Sequence, residues 1–267
     1  HFLEHMCFNG TEHFPGNSLI SYLESIGVKF GEQLNAYTSI DETVYNIDNV
    51  PVVKYPTAID SCLWILHDWA GSLLLEDEEI DKERGVIHEE WRSRQNAQMR
   101  MYDKILPVIY PNNKYGVRMP IGLMEVVDNF PYEALRSYYH TWYRPDQQGI
   151  VVVGDFDVDM VEAKVKEIFS TLPAAPADAP ERVYTQVEDN QDPIIVTATD
   201  KEQPYAMTYI FVKHPAIPNE AKSNMDYALL QYANDMVAAM AAARISEMTQ
   251  ASDPDFVDAA IMDGDFF

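Results

Sequence analysis

Two cysteines in 267 residues, Cys7 and Cys62, are too few for a disulfide framework and stand in no metal-binding spacing. Basic residues are scarce too. Against 43 Asp and Glu there are 19 Lys and Arg, a formal net charge of −24 that argues against nucleic-acid binding and suits a solubilising surface. No apolar run approaches the ~18 residues that a membrane-crossing helix requires. No clear sequence repeat is visible. What is present is 47% hydrophobic content in a chain long enough for one full domain and part of another.

The informative residues come first: His1-Phe2-Leu3-Glu4-His5, an H-x-x-E-H pattern. On a helix of about 3.6 residues per turn, His1 and His5 are neighbours whose ring nitrogens can meet at one point, and Glu4 edges the same face. That is half of a zinc site with its base. Phe2, Leu3, Met6 and Phe8 supply apolar packing, and Gly10 is placed to end the helix near Asn9, so the motif is expected on a short buried helix. Cys7 points away from both histidines by helical phase and reads as a small core residue. Two histidines and an acid also fit an ordinary amphipathic turn, and a metal site needs a third protein ligand.

The third ligand is sought in residues 76–91, a helical stretch that opens on carboxylates favouring the positive end of the helix dipole. Projected at about 100° per residue, Ile80, Val86, Ile87 and Trp91 form the apolar stripe, with Glu83 and Glu90 inside or beside it and Glu89 opposite. Glu76, Asp77, Glu78, Glu79 and Glu89 read as solvated charges, and His88 as exposed. Glu83 and Glu90 are two turns apart, about 10.5 Å along the axis, so one should be ligand and the other its support.

Residues 34–49 read as a hairpin, since Thr38, Thr43, Val44, Tyr45 and Ile47 favour strand and 39–42 make the turn. A helix is expected over 159–172, then a Pro/Ala linker from 173 that can build no core of its own. Beyond it, 194–199, 207–213 and 257–262 read as strands and 219–250 as a long helix rich in Ala and Met. The class is α+β.

The sequence resembles the pitrilysin/insulinase family of zinc metallopeptidases, in which H-x-x-E-H inverts the commoner H-E-x-x-H order and a distant Glu completes the site. The match rests on His1 to Thr11, Leu34-Asn35-Ala36-Tyr37-Thr38-Ser39, Asp41 to Tyr45, Lys82-Glu83-Arg84-Gly85-Val86-Ile87 and Glu89-Glu90-Trp91. Pro120-Ile121-Gly122, Trp142-Tyr143-Arg144-Pro145 and Val151 to Phe156 continue it, in order and spacing, over most of residues 1–172. The resemblance implies an α+β peptidase half with antiparallel-rich sheets covered by helices. It implies Zn²⁺ held by His1, His5 and Glu90, Glu4 as general base, and Glu83 as the acid that orients a ligand. Asn35 and Ala36 would lie on an edge strand that takes a peptide substrate by strand addition, with Tyr37 lining the pocket.

By the same resemblance, residues 1–172 are the zinc-binding domain, 173–190 a linker and 191–267 the start of a second α+β unit. The partner is a homologous C-terminal half or subunit. Strands normally precede the zinc helix in that family, and 264–267 break off inside a sheet, so the chain reads as a piece of an N-terminal half. The nearest character is that of bacterial periplasmic or envelope zinc proteases. A non-catalytic, peptide-binding member of the family is the alternative role, though such members usually lack the zinc motif that is present here.

Overall fold

The computed structural model describes residues 1–213 and 217–264. They form two units, residues 1–188 with 192–206, and residues 189–191 with 207–267. The first unit opens with α1 (Phe2–Met6), α2 (Ser18–Ser25), a hairpin of β1 (Leu34–Thr38) and β2 (Thr43–Ile47), and α3 (Ala58–Gly71). It continues with α4 (Asp77–Arg94), α5 (Ala97–Ile109), the short α6 (Lys114–Val117) and α7 (Met124–Asn129), α8 (Tyr132–Trp142) and α9 (Val158–Phe169). The second holds a 3₁₀ turn, Asn219–Ser223, and one long helix, α10 (Met225–Thr249), none of whose side chains is buried.

Helix α1 is five residues long, far below the length at which a helix is stable by itself in water. Packing holds it. Its C-terminal neighbour Cys7 belongs to a core with Leu19, Leu23, Val28, Leu34, Ile65 and Trp69. Leu3 and Met6 belong to a second core with Leu75, Ile80, Leu135 and Tyr139. Helix α1 is therefore the seam between two clusters. Trp69 Nε1 donates to the Cys7 carbonyl at 2.8 Å, satisfying an acceptor at the helix end. The helix stops at Met6, earlier than the expected Asn9, and the chain turns through Gly10 at φ +119. A Cβ there would stand 3.1 Å from the Gly16 backbone nitrogen, so glycine is what lets Thr11 leave the turn and pair with Leu73.

Helix α4 carries acids in its first turn and Arg92 and Arg94 in its last, as the helix dipole favours. Its buried side is the line Ile80, Glu83, Ile87, with Glu90 next along it and half-buried. Val86 and Trp91, expected in the apolar stripe, are 49% and 37% exposed, because the stripe is narrower than the projection assumed. His88 is only half-exposed; its Nε2 lies 2.6 Å from Asp128 on α7. Arg84 reaches the carbonyls of Val127 and Phe130 and lies 4.1 Å over the Phe130 ring, tying α4 to the turn before α8.

The hairpin forms as expected, antiparallel, with Asn35 opposite Asn46 and Ala36 opposite Tyr45. It is a two-stranded sheet, and the fold class is α+β with helices dominant. The stretches expected as strands at 194–199, 207–213 and 257–262 are not strands among the described residues. A strand exists only where its backbone groups find a neighbouring strand, and β propensity alone does not supply one. The sheet expected to break off inside 264–267 lies, from 265 onward, outside the described residues. The Pro/Ala stretch after 173 runs along the first unit, where Arg144 donates to the Pro180 carbonyl at 2.6 Å and Asn113 to that of Gln186 at 2.9 Å. Replacing Trp69 by Phe keeps the ring but orphans the Cys7 carbonyl; a loss of about 1–3 kcal/mol is expected in urea unfolding. Val86→Ala should stay within about 0.5 kcal/mol.

Candidate metal centre

His1 is the N-cap of α1 and His5 closes its first turn, the His5 amide donating to the His1 carbonyl at 3.2 Å. One helical turn brings the rings together, with centroids 4.8 Å apart and planes inclined at 62°. Glu90 approaches from α4. Its Oε2 lies 3.3 Å from Nε2 of His1 and 3.3 Å from Nε2 of His5. Four donors about 2.0–2.1 Å from a tetrahedral zinc are separated from one another by about 3.3 Å. Both Glu90–imidazole edges have that length.

Glu90 Oε2 is buried and has no hydrogen-bond partner among the described residues, although two imidazole nitrogens face it. A buried carboxylate oxygen without a donor is costly, and a cation at the shared point removes the cost. The site therefore fits a divalent ion with two neutral imidazoles and one carboxylate, the three-ligand set that leaves zinc a position for a reactant. Cys7, next to the motif, is no competitor. Burial pushes its thiol up to about 12, and its side chain sits in the apolar core.

Glu83 occupies the other side of His5. Its Oε1 lies 2.7 Å from His5 Nδ1, and its Oε2 accepts from Asn9 Nδ2 at 2.6 Å. A proton on Nδ1 shared with Glu83 leaves the Nε2 lone pair facing Glu90. Glu83 and Glu90, two turns apart on α4, thus meet opposite nitrogens of one ring. Burial lowers the proton affinity of His5, but the Glu83 hydrogen bond and the charges of Glu83, Glu90 and Glu4 outweigh it and hold the ring above its ordinary value. Arg94 reaches Glu90 Oε1 at 2.5 Å and steadies the carboxylate from the solvent side.

Glu4 is buried, and its Oε2 accepts from Thr38 Oγ1 at 2.5 Å. Thr38 is the last residue of β1, and its hydroxyl also meets that of Thr43 across the hairpin at 3.2 Å. Asn35, Ala36 and Tyr37 precede it on β1, whose far edge carries no ladder from 35 to 38 among the described residues. Tyr37 is 50% exposed, and its hydroxyl donates to Glu42 at 2.8 Å. Asn9, Thr38 and Arg94 were given no role from sequence. Asn9 stands four residues past His5, and Arg94 four past Glu90, which is the signal that marks them. Thr38 carries no such local signal.

Residues 1–117 match the family model described as Insulinase (Peptidase family M16), and residues 129–246 match that described as Peptidase M16 inactive domain. The chain is 40% identical over 190 residues to the probable zinc protease PqqL of Escherichia coli K12, covering 71% of this chain and 20% of that protein. It is 29% identical over 257 residues to a zinc protease PQQL-like of Arabidopsis thaliana, covering 96% of this chain and 26% of that one. The crystal structure of the first half of the periplasmic protease PqqL from E. coli superposes with a TM-score of 0.65 at 39% identity, over 71% of this chain and 40% of that one. The chain thus spans about a fifth to a quarter of the length of these curated relatives.

Glu90→Gln should weaken Zn²⁺ binding by about 10²-fold or more, while Glu89→Gln, on the solvent side, should leave it unchanged in competition with a chromophoric chelator. Equal effects of the two would place the ligand face elsewhere on α4. Because the ion must displace a proton held by His5, affinity should fall on acidification from a pH above the ordinary imidazole range near ~6.5, by up to about tenfold per pH unit. Glu83→Gln removes the strongest proton-retaining partner, so the onset of that fall should move to lower pH.

Proposed function

We propose, for a chain that belongs to the insulinase family, peptidase family M16, that its first unit is the zinc-binding catalytic part of a metalloendopeptidase. The carrying observation is Glu90 Oε2, an unpartnered buried acceptor equidistant from two imidazole nitrogens. Bound by His1, His5 and Glu90, zinc would supply Lewis acidity towards a water and towards the peptide carbonyl it attacks.

The chain's own residues do the proton work. Among the described residues the hydrogen bond to the Glu4 carboxylate engages Oε2 through Thr38, so Oε1 is the atom that takes the proton of the attacking water. Glu4 then returns that proton to the nitrogen of the leaving amine. Thr38 keeps the carboxylate from swinging, and because it closes β1 it links the base to the strand that meets substrate. His5 is kept in the metal-facing tautomer by Glu83, and Asn9 keeps Glu83 in place.

An extended peptide adds to the open edge of β1 at Asn35 and Ala36, its main chain continuing the hairpin and Tyr37 flanking the scissile bond. Such recognition reads backbone more than side chains, which suits unfolded or short substrates. A homologous second half, in the same protein or in a partner subunit, closes the cleft and contributes to holding the substrate. No helix among the described residues is long and apolar enough to cross a membrane. The relatives described as periplasmic favour the bacterial periplasm as the compartment.

Glu4→Gln in the intact protein is the decisive experiment. It preserves shape and removes the base, so turnover of a peptide pool should fall by about 10²–10⁴-fold while zinc content stays at the parent level. Loss of zinc along with activity would make Glu4 a ligand; undiminished turnover would remove it from the chemistry. A parent protein that holds zinc and binds peptides without cleaving them would support the non-catalytic role instead.

A further inference from the structure

A second cluster of metal-ligating side chains lies outside the site just described. His13, in the turn that follows α1, meets His67 and Asp68, consecutive residues near the end of α3. One ligand atom from each of the three lies within 4.8 Å of the others. Asp68 is fully buried, His67 nearly so, and His13 is 43% exposed.

The two oxygens of Asp68 have different surroundings. Oδ2 is anchored, accepting from Thr11 Oγ1 at 2.5 Å and from the His13 amide at 2.9 Å. Oδ1 faces the two rings, with His13 Nδ1 at 2.7 Å and His67 Nδ1 at 3.3 Å. The far side of His67 is already committed. Its Nε2 lies 2.9 Å from Thr171 Oγ1, and that hydroxyl spends its proton on the Ile168 carbonyl at 2.7 Å. Nε2 must therefore donate, and in the neutral ring Nδ1 then presents a lone pair to the carboxylate lone pairs at 3.3 Å. Two acceptors facing each other in a buried place need a positive centre between them.

We infer that His13, His67 and Asp68 form a second site for a divalent transition ion of the zinc class, distinct from the site of His1, His5 and Glu90. Two imidazoles and a carboxylate are borderline ligands, suited to Zn²⁺ or Co²⁺ and poorly suited to Ca²⁺ or Mg²⁺. The His67 Nδ1 to Asp68 Oδ1 separation already equals the edge of a tetrahedron about such an ion, roughly 3.3 Å. His13 is the adjustable ligand: partly exposed, its ring 4.4 Å from that of Trp64 and inclined to it at 41°, it can open its 2.7 Å contact by a few tenths of an ångström. On binding, its Nδ1 proton leaves to solvent and the ion takes that place. Such an ion ties the turn after α1 to α3 and, through His67 and Thr171, to the end of α9.

The test counts metal on the intact protein, stripped with chelator and dialysed against Zn²⁺ at neutral pH. His13→Asn is the chosen variant, since its amide still donates to Asp68 where Nδ1 did but is a poor ligand; circular dichroism verifies its fold. It should bind one equivalent fewer than the parent. Glu90→Gln should also lose one equivalent, and the two together should lose two, which separates this site from the other. His13→Cys, which replaces the imidazole by a thiolate that also binds Zn²⁺, should keep the parent stoichiometry. An unchanged metal count in His13→Asn would overturn the proposal and leave a hydrogen-bonded triad, as would a double variant that loses no more than Glu90→Gln.

Discussion

The imidazole of His5 is held between two carboxylates of one helix, and the arrangement around it depends on that. Glu83 lies against Nδ1 and Glu90 faces Nε2, seven residues apart on α4. For both to reach one ring, α1 must lie against α4 with the ring between the two carboxylates, whose backbones stand two helical turns, roughly 10.5 Å, apart along the axis. Interaction with Glu83 decides which nitrogen carries the proton, and so which is left as a donor for an ion. Asn9 and Arg94 then act on the carboxylates rather than on the ring, each occupying an oxygen that faces away from the shared point.

That geometry is imposed on a helix too short to persist alone. Helix α1 forms because both of its sides are buried, with Cys7 in one cluster and Leu3 and Met6 in the other. The hydrogen bond from Trp69 to the Cys7 carbonyl and the tight turn at Gly10 close its C-terminal end. Tyr139 joins the same network, its hydroxyl accepting from the Leu73 amide at 3.2 Å beside the last turn of α3. Rigidity at the site is thus packing rigidity. The same turn that frees Thr11 to pair with Leu73 carries His13 to Asp68, so the two His-rich clusters share one piece of backbone.

Among its described residues the second unit has no such support. Helix α10 has a side-chain cap, Asn224 accepting from the Tyr227 amide at 3.0 Å, and a composition rich in Ala and Met. None of its side chains is buried, so its helicity rests on propensity, capping and length rather than on a core. The stretches expected as strands around it carry residues that favour strand but are not strands among the described residues.

From residue order alone came the H-x-x-E-H helix, the acid-led helix with Glu83 and Glu90 on one side and Glu89 on the other, the hairpin and its turn, and the α+β class. These are local properties, set by helical phase, strand alternation and turn chemistry, and local properties are written in consecutive residues. Only the folded chain decided which nitrogen of His5 meets which acid, that Glu4 is bonded to Thr38 from a strand 34 residues away, and that His13 lies beside His67 and Asp68. It also decided that Val86 and Trp91 stay exposed and that, among the described residues, 194–199, 207–213 and 257–262 are not strands. Each of these depends on which surfaces meet, and that is set by the burial of whole elements against one another, which no short window of sequence contains.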